Sequence, residues 1–200
     1  MKKTLLLFLL FCIYQAEAQV TFDPGVRAGA NFSRYTHLEG DTKTDFYVGI
    51  FGALKLSRFY TFQPEIYYSR QGMNKVEFYE NYRYSYINGI GSGTGDLAYK
   101  DLTTSYLGVD IINKFSFKKL NFQFGPGLEF VVNSPDHVET DIDLTINLGF
   151  GYDITERLGV EARFKKGLIE PLKYQSNYFT VDNGRMTNSV FQVGLSYKLK

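Results

Sequence analysis

The chain has 200 residues, with 22 basic and 21 acidic side chains, one cysteine, no tryptophan and 17% aromatic residues. Near-neutral charge gives no electrostatic reason to expect nucleic acid or a strongly anionic partner. A single cysteine excludes a disulfide framework, and the length suits one domain.

Lys2 and Lys3 precede an apolar stretch from Leu5 to Tyr14, followed by Ala16-Glu17-Ala18-Gln19. That is the charge, length and small-residue pattern of a secretory signal peptide. Cleavage is expected after Ala18, giving a signal segment 1–18 and one mature domain 19–200. About ten apolar residues are too few for a spanning helix. Phe11 stands before Cys12 where a lipid attachment site wants a small residue, so lipidation is not expected. Removal of Lys2, Lys3 and Glu17 leaves 20 basic and 20 acidic residues and takes the only cysteine away. No later run of 18 apolar residues exists, so any membrane insertion must use strands.

Strict apolar/polar alternation, the mark of a strand with two different faces, then recurs eight times. The runs are Gly25–Phe32, Phe46–Leu56, Phe62–Gln71, Ser105–Phe117, Leu120–Asn133, Ile142–Ile154, Leu158–Lys165 and Ser189–Leu199. The sixth is the cleanest. Ile142, Leu144, Ile146, Leu148, Phe150, Tyr152 and Ile154 share one face, and Asp143, Thr145, Asn147, Gly149, Gly151 and Asp153 share the other. Thirteen residues exceed the usual five or six of a soluble strand and match the roughly 9–11 that cross a bilayer at a tilt. Connections alternate in length. Leu56–Tyr60, Phe117–Leu120 and Thr155–Leu158 are tight turns, whereas Ser33–Asp45, Met73–Thr103, Ser134–Asp141 and Leu168–Asn188 are long. This predicts an all-β chain: an eight-stranded antiparallel up-and-down transmembrane β-barrel with short periplasmic turns and four long extracellular loops.

The polar face decides which solvent lies inside. It carries Arg27, Lys55, Glu65, Asp110, Lys114, Glu129, Glu161, Arg163 and Lys165, with glycines between them. Nine charges are a costly lining for an apolar ligand cavity, which weighs against the alternative of a secreted soluble lipocalin-like barrel. Five bases and four acids pair instead across a narrow lumen that eight strands leave just wide enough for side chains to fill. The bulky apolar face then meets lipid. Pro64 and Pro126 fit this badly, because each removes a ladder donor from a sheet without edges; a local bulge or a place near the membrane boundary is the expected remedy.

The segment Gln63-Pro64-Glu65-Ile66-Tyr67-Tyr68-Ser69-Arg70-Gln71-Gly72 resembles the third strand of the PorT-type family of small outer-membrane barrels, also called porin-family proteins. Gly25-Val26-Arg27-Ala28-Gly29-Ala30-Asn31 and Gly149-Phe150-Gly151-Tyr152 are similar to that family too. The resemblance spans residues 20 to 200. It implies a Gram-negative outer-membrane barrel, with some family members needed for protein secretion.

Chemistry-bearing residues are few. Gly89 to Gly95 lacks the Gly-Lys-Ser/Thr ending of a phosphate-binding loop and reads as a mobile loop. Phe78, Tyr79, Tyr82, Tyr84, Tyr86 and Tyr99 offer broad, low-entropy contact area, and Tyr79, Tyr82, Tyr84 and Tyr86 are the candidate interaction surface. Asp136, Glu139, Asp141 and Asp143 have no EF-hand spacing and read as a solvated acidic loop, so no metal is expected. His37 and His137 are the only histidines, and Ser134, His137 and Glu139 lie too close in sequence to converge as a triad. The chain is thus expected to have no catalytic residues and no cofactor. The alternative, an outer-membrane lipid-modifying enzyme, would draw on those histidines. Expected partners are outer-membrane lipid and lipopolysaccharide, and an envelope or extracellular protein at loops 73–103 and 168–188, with the barrel itself a monomer.

Overall fold

The computed structural model describes residues 20–87, 90–134, 140–170 and 186–199, and for 79–82, 84–87 and 90–93 the backbone alone. Eight strands close into one antiparallel barrel in chain order: β1 (Thr21–Tyr35), β2 (Asp41–Lys55), β3 (Tyr60–Ile87), β4 (Ile90–Phe117), β5 (Leu120–Asn133), β6 (Ile142–Asp153), β7 (Leu158–Gly167) and β8 (Asn188–Lys198). Closure comes from β1, which pairs with β2 from Thr21↔Lys55 to Ser33↔Lys43 and with β8 from Gly25↔Lys198 to Tyr35↔Asn188. Tight turns at 56–59, 118–119 and 154–157 gather at one end, and the longer connections lie at the other.

Period two sorts the faces. Along β6 the outward positions are exposed and the inward ones buried, so Phe150 is 67% exposed while Asn147 is fully buried. Exposed Val26, Ile50, Ile66, Val109, Phe122, Ile146, Phe164 and Leu195 carry the same outward pattern around the barrel. Such a continuous apolar belt has no covering partner among the described residues and would be an aggregation site in water. Ring pairs reinforce it toward the tight-turn end (Tyr60–Phe115, centroids 5.1 Å apart; Phe122–Phe150, 5.4 Å) and nearer the other end (Phe46–Tyr68, 6.0 Å; Phe32–Phe191, 6.5 Å).

The two prolines are accommodated without a bulge. Pro64 pairs with Ile111 on one side, while on the other the β2–β3 ladder lapses between Phe51↔Glu65 and Leu54↔Phe62 and resumes in the same register. Pro126 repeats the device: it pairs with Ile146, and the β4–β5 ladder lapses between Asp110↔Gly127 and Asn113↔Phe124. Each proline thus turns its missing donor toward a two-residue gap.

The Met73–Thr103 connection is a hairpin rather than a loop without structure. β3 and β4 each run 28 residues and stay paired to Ile87↔Ile90. β2 leaves β3 at Asp41↔Asn74, and β5 leaves β4 at Ser105↔Asn133. Beyond those points the two strands continue as a ribbon of about 40 Å at ~3.3 Å per residue, its base packed on the β1–β2 connection through buried Val76 and Leu102 and through the Glu77 N–H, which donates to the Glu39 carbonyl at 3.3 Å. Register shifts after Met73 and after Glu80 twist it, with Lys75 at φ 48° in the first. Ile90 to Gly95, expected as part of a mobile loop, are strand residues, and Gly91 and Gly93 stand opposite Tyr86 and Tyr84.

Candidate functional site

The lumen is built by inward positions of all eight strands. Period two on β3 sends Gln63, Glu65, Tyr67, Ser69 and Gln71 inward, and all five are buried. At the centre, Glu65 receives both nitrogens of Arg163, Nη1 to Oε2 at 2.8 Å and Nη2 to Oε1 at 3.0 Å. Arg27 also pairs with Glu65 and reaches Glu161 at 2.8 Å. Arg163 lies 3.7 Å from Asp110 and 3.8 Å from Glu161, and Lys114 lies 3.8 Å from Glu161. A second focus sits higher. Lys165 donates to Glu129 at 2.8 Å and to the Tyr67 hydroxyl, which is 3.0 Å from both the Asp110 and the Glu129 carboxylates.

Eight of the nine charges named from sequence are therefore in one connected network, four basic and four acidic. Lys55 is the exception. It is exposed, at the tight-turn mouth, and pairs with none of them. Alternation assigns a side chain to a face but says nothing of its depth along the lumen. Asp143 departs from expectation in the other direction: it is buried, and its carboxylate accepts the Ile169 N–H at 3.0 Å instead of belonging to a solvated loop.

Neutral side chains complete the filling. Gln63 donates to Glu65 at 2.7 Å, the Gln123 carbonyl accepts from Arg163 at 2.8 Å, and Gln71 donates to Glu129 at 2.9 Å. Asn31 donates to Ser69 at 2.8 Å and accepts from Gln192 at 2.9 Å. Tyr67 binds more of the charges than any residue outside the named set. Its place between Glu65 and Ser69 on the inward face was the available signal. Glycines make the room: a Cβ at Gly108 would overlap the Tyr67 ring, and one at Gly194 the Tyr47 hydroxyl.

Above the charges, Tyr35, Leu38, Met73, Val76, Leu102 and Met186 form a buried apolar cluster. It closes the long-connection end of the lumen. The cluster joins the β1–β2 turn, the base of the ribbon and the segment leading into β8, where Thr36 N donates to the Thr187 carbonyl at 3.0 Å. Sequence reasoning placed all six of these residues in long connections, where no periodicity marks a core.

On the ribbon, Leu97 and Tyr99 are exposed. The backbones of Tyr79, Tyr82, Tyr84 and Tyr86 lie in β3, while their side chains fall outside the described residues. Asp41 hydrogen-bonds the exposed Lys75 at 2.9 Å and holds its ammonium above the usual lysine range. His37 occupies the β1–β2 turn at φ 59°; His137, Asp136 and Glu139 lie outside the described residues. Among the described residues no group of three His, Cys, Asp or Glu side chains is placed to hold a metal ion. The paired charges and their neutral neighbours hold one another fixed and fill the lumen.

A family model described as outer membrane protein beta-barrel domain matches residues 4–198. No curated protein matches in sequence. Among solved structures, the chain is similar to Neisserial surface protein A at 14% identity and TM-score 0.50, covering 89% of this chain and 97% of that one. It is also similar to Ail, the attachment invasion locus protein of Yersinia pestis, in complex with the heparin analogue sucrose octasulfate: 11% identity, TM-score 0.48, covering 89% and 99%. At such identities the likeness concerns the fold.

Proposed function

The chain belongs to the outer membrane protein beta-barrel domain family, and we propose that within the outer membrane it is a non-catalytic scaffold that presents the β3–β4 ribbon to a protein partner outside the cell. The outward apolar belt meets lipid, with lipopolysaccharide at the outer rim, and the tight turns face the periplasm. Export by the signal segment 1–18 and kinship with the secretion-linked PorT-type barrels are part of the same reading; the kinship rests on the motifs around Gln63–Gly72 and Gly25–Asn31. The barrel is proposed to be monomeric, the lumen charges structural, and residues 168–188 a lesser contact.

The observation that carries the proposal is the ribbon's length. Two strands stay paired from Phe78↔Ala98 to Ile87↔Ile90, past the ladders to β2 and β5 and past the Glu77–Glu39 bond, which no barrel needs for closure. Over that length it offers two backbone edges with no ladder partner among the described residues and a tyrosine-rich sequence, both of which suit protein recognition.

The test is to replace residues 77–99 with a two-residue turn and compare cross-linked outer-membrane and extracellular partners with the full chain. The variant is expected to keep heat-modifiable gel mobility and lose the partner. An unchanged partner set with a folded barrel would contradict the proposal.

A further inference from the structure

The tight-turn mouth is a cavity of about 150 Å³ between the floor of the charge network and the periplasmic turns. Its charge is lopsided. Lys55, Arg58, Lys118 and Lys198 line it together with only two acids, Asp23 and Asp153. Lys114 lines it as well, but Glu161 already holds that ammonium from the lumen side. The mouth therefore keeps four cations to two carboxylates after Lys114 is assigned to the lumen.

Lys198 Nζ donates to the Glu156 carbonyl at 3.4 Å, a neutral acceptor that leaves its charge uncompensated. Among the described residues Lys55, Arg58 and Lys118 make no ion pair, and neither Asp23 nor Asp153 comes within 4.0 Å of any base. Arg58 and Lys118 lie over their neighbours Phe59 and Phe117, a contact that orients a cation without neutralising it. Chain geometry concentrates them: Lys118 sits in the two-residue β4–β5 turn at φ 55°, and Lys55 and Arg58 flank the start of the β2–β3 turn.

Neutral donors stand at the cavity wall. Asn121 is 7% exposed; its amide oxygen accepts from Gln123 at 2.8 Å, and its amide nitrogen has no partner among the described residues. Gln63 is 2% exposed and is fixed by donation to Glu65. A concave site with low-dielectric walls and one excess sign focuses counter-ions, and ionised acceptors bond such donors most strongly. The volume holds one tetrahedral oxyanion with part of its water shell, at ~30 Å³ per water.

We propose that this periplasmic mouth is a binding site for a phosphate-type oxyanion, free or borne on a lipid headgroup. It is independent of the ribbon and its partner, so either reading can fail without the other.

The test uses the full mature protein, ¹⁵N-labelled, in uncharged maltoside micelles at pH 7. Inorganic phosphate is titrated against sodium chloride of equal ionic strength. Saturable shifts are expected at the amides of Lys55, Lys114, Lys118 and Asn121 with phosphate alone. The double variant Lys55→Gln, Lys118→Gln is expected to bind phosphate at least tenfold more weakly with the rest of its spectrum unchanged. Equal shifts with chloride, or an unaltered phosphate titration in the double variant, would overturn the site. Short-chain phosphatidylglycerol then separates the two sources: competition for the same amides supports a headgroup, and lack of competition supports free phosphate.

Discussion

Arg163 is the residue on which the lumen turns. Fully buried, it bonds both oxygens of Glu65 and the carbonyl of Gln123. An Arg163→Ala variant leaves Glu65 with Arg27 as its one paired base and Glu161 with one fewer, and removing one member of a buried pair costs about 3–5 kcal/mol. Urea unfolding in lipid vesicles should register that loss, and Arg163→Lys should lose less because it keeps the charge without the bidentate fork. Space matters as much as charge. Gly108→Ala puts a methyl into the Tyr67 ring, which forces the ring off its bonds to Asp110 and Glu129; a lower unfolding midpoint is expected, whereas Ala98→Gly in the ribbon should leave the midpoint unchanged. Most of the network was legible in the sequence, because Glu65, Asp110, Glu129, Glu161, Arg163 and their companions share the face opposite an unbroken apolar one. Depth was not: Lys55 obeys the same alternation as Arg27 yet sits at the mouth.

Strands differ in what surrounds them. A lipid-facing residue of β6 and an exposed residue of the ribbon look equally apolar in sequence but have different solvents. Ile146→Arg should destabilise the barrel by about 2–4 kcal/mol, the cost of a base near the bilayer midplane, and Leu97→Arg should change stability by no more than a few tenths of a kcal/mol, as surface substitutions do. Parallel unfolding titrations in vesicles check both. The core of each barrel strand could be read from period two, and the ends could not. The ribbon escaped because glycine, serine and tyrosine on both faces carry no alternation, and because the shifts after Met73 and Glu80 break the phase. Pro64 and Pro126 looked like obstacles because a ladder is counted residue by residue. In the structure each lapse is local, with register held by pairs on either side.

At the scale of the whole molecule the chain is stratified along its axis. From the periplasmic side come a basic mouth, a charge-paired lumen, an apolar cap of Tyr35, Leu38, Met73, Val76, Leu102 and Met186, and then the ribbon. The cap was invisible in sequence, since its residues come from segments without periodicity that meet only after closure. The central claim is that the barrel is inside out relative to a soluble protein, with lipid against the apolar face and no water path through the lumen. Residues 19–200 contain no cysteine, so in a chain of those residues single cysteines can be placed along β6 and spin-labelled in bilayers. Labels at residues 144, 146, 148 and 150 are predicted to be accessible to oxygen and shielded from a water-soluble nickel chelate, and labels at 145, 147 and 149 to be shielded from both. Chelate access at the odd positions would reveal an open pore, and loss of oxygen access at the even ones a soluble calyx; either result would contradict the account.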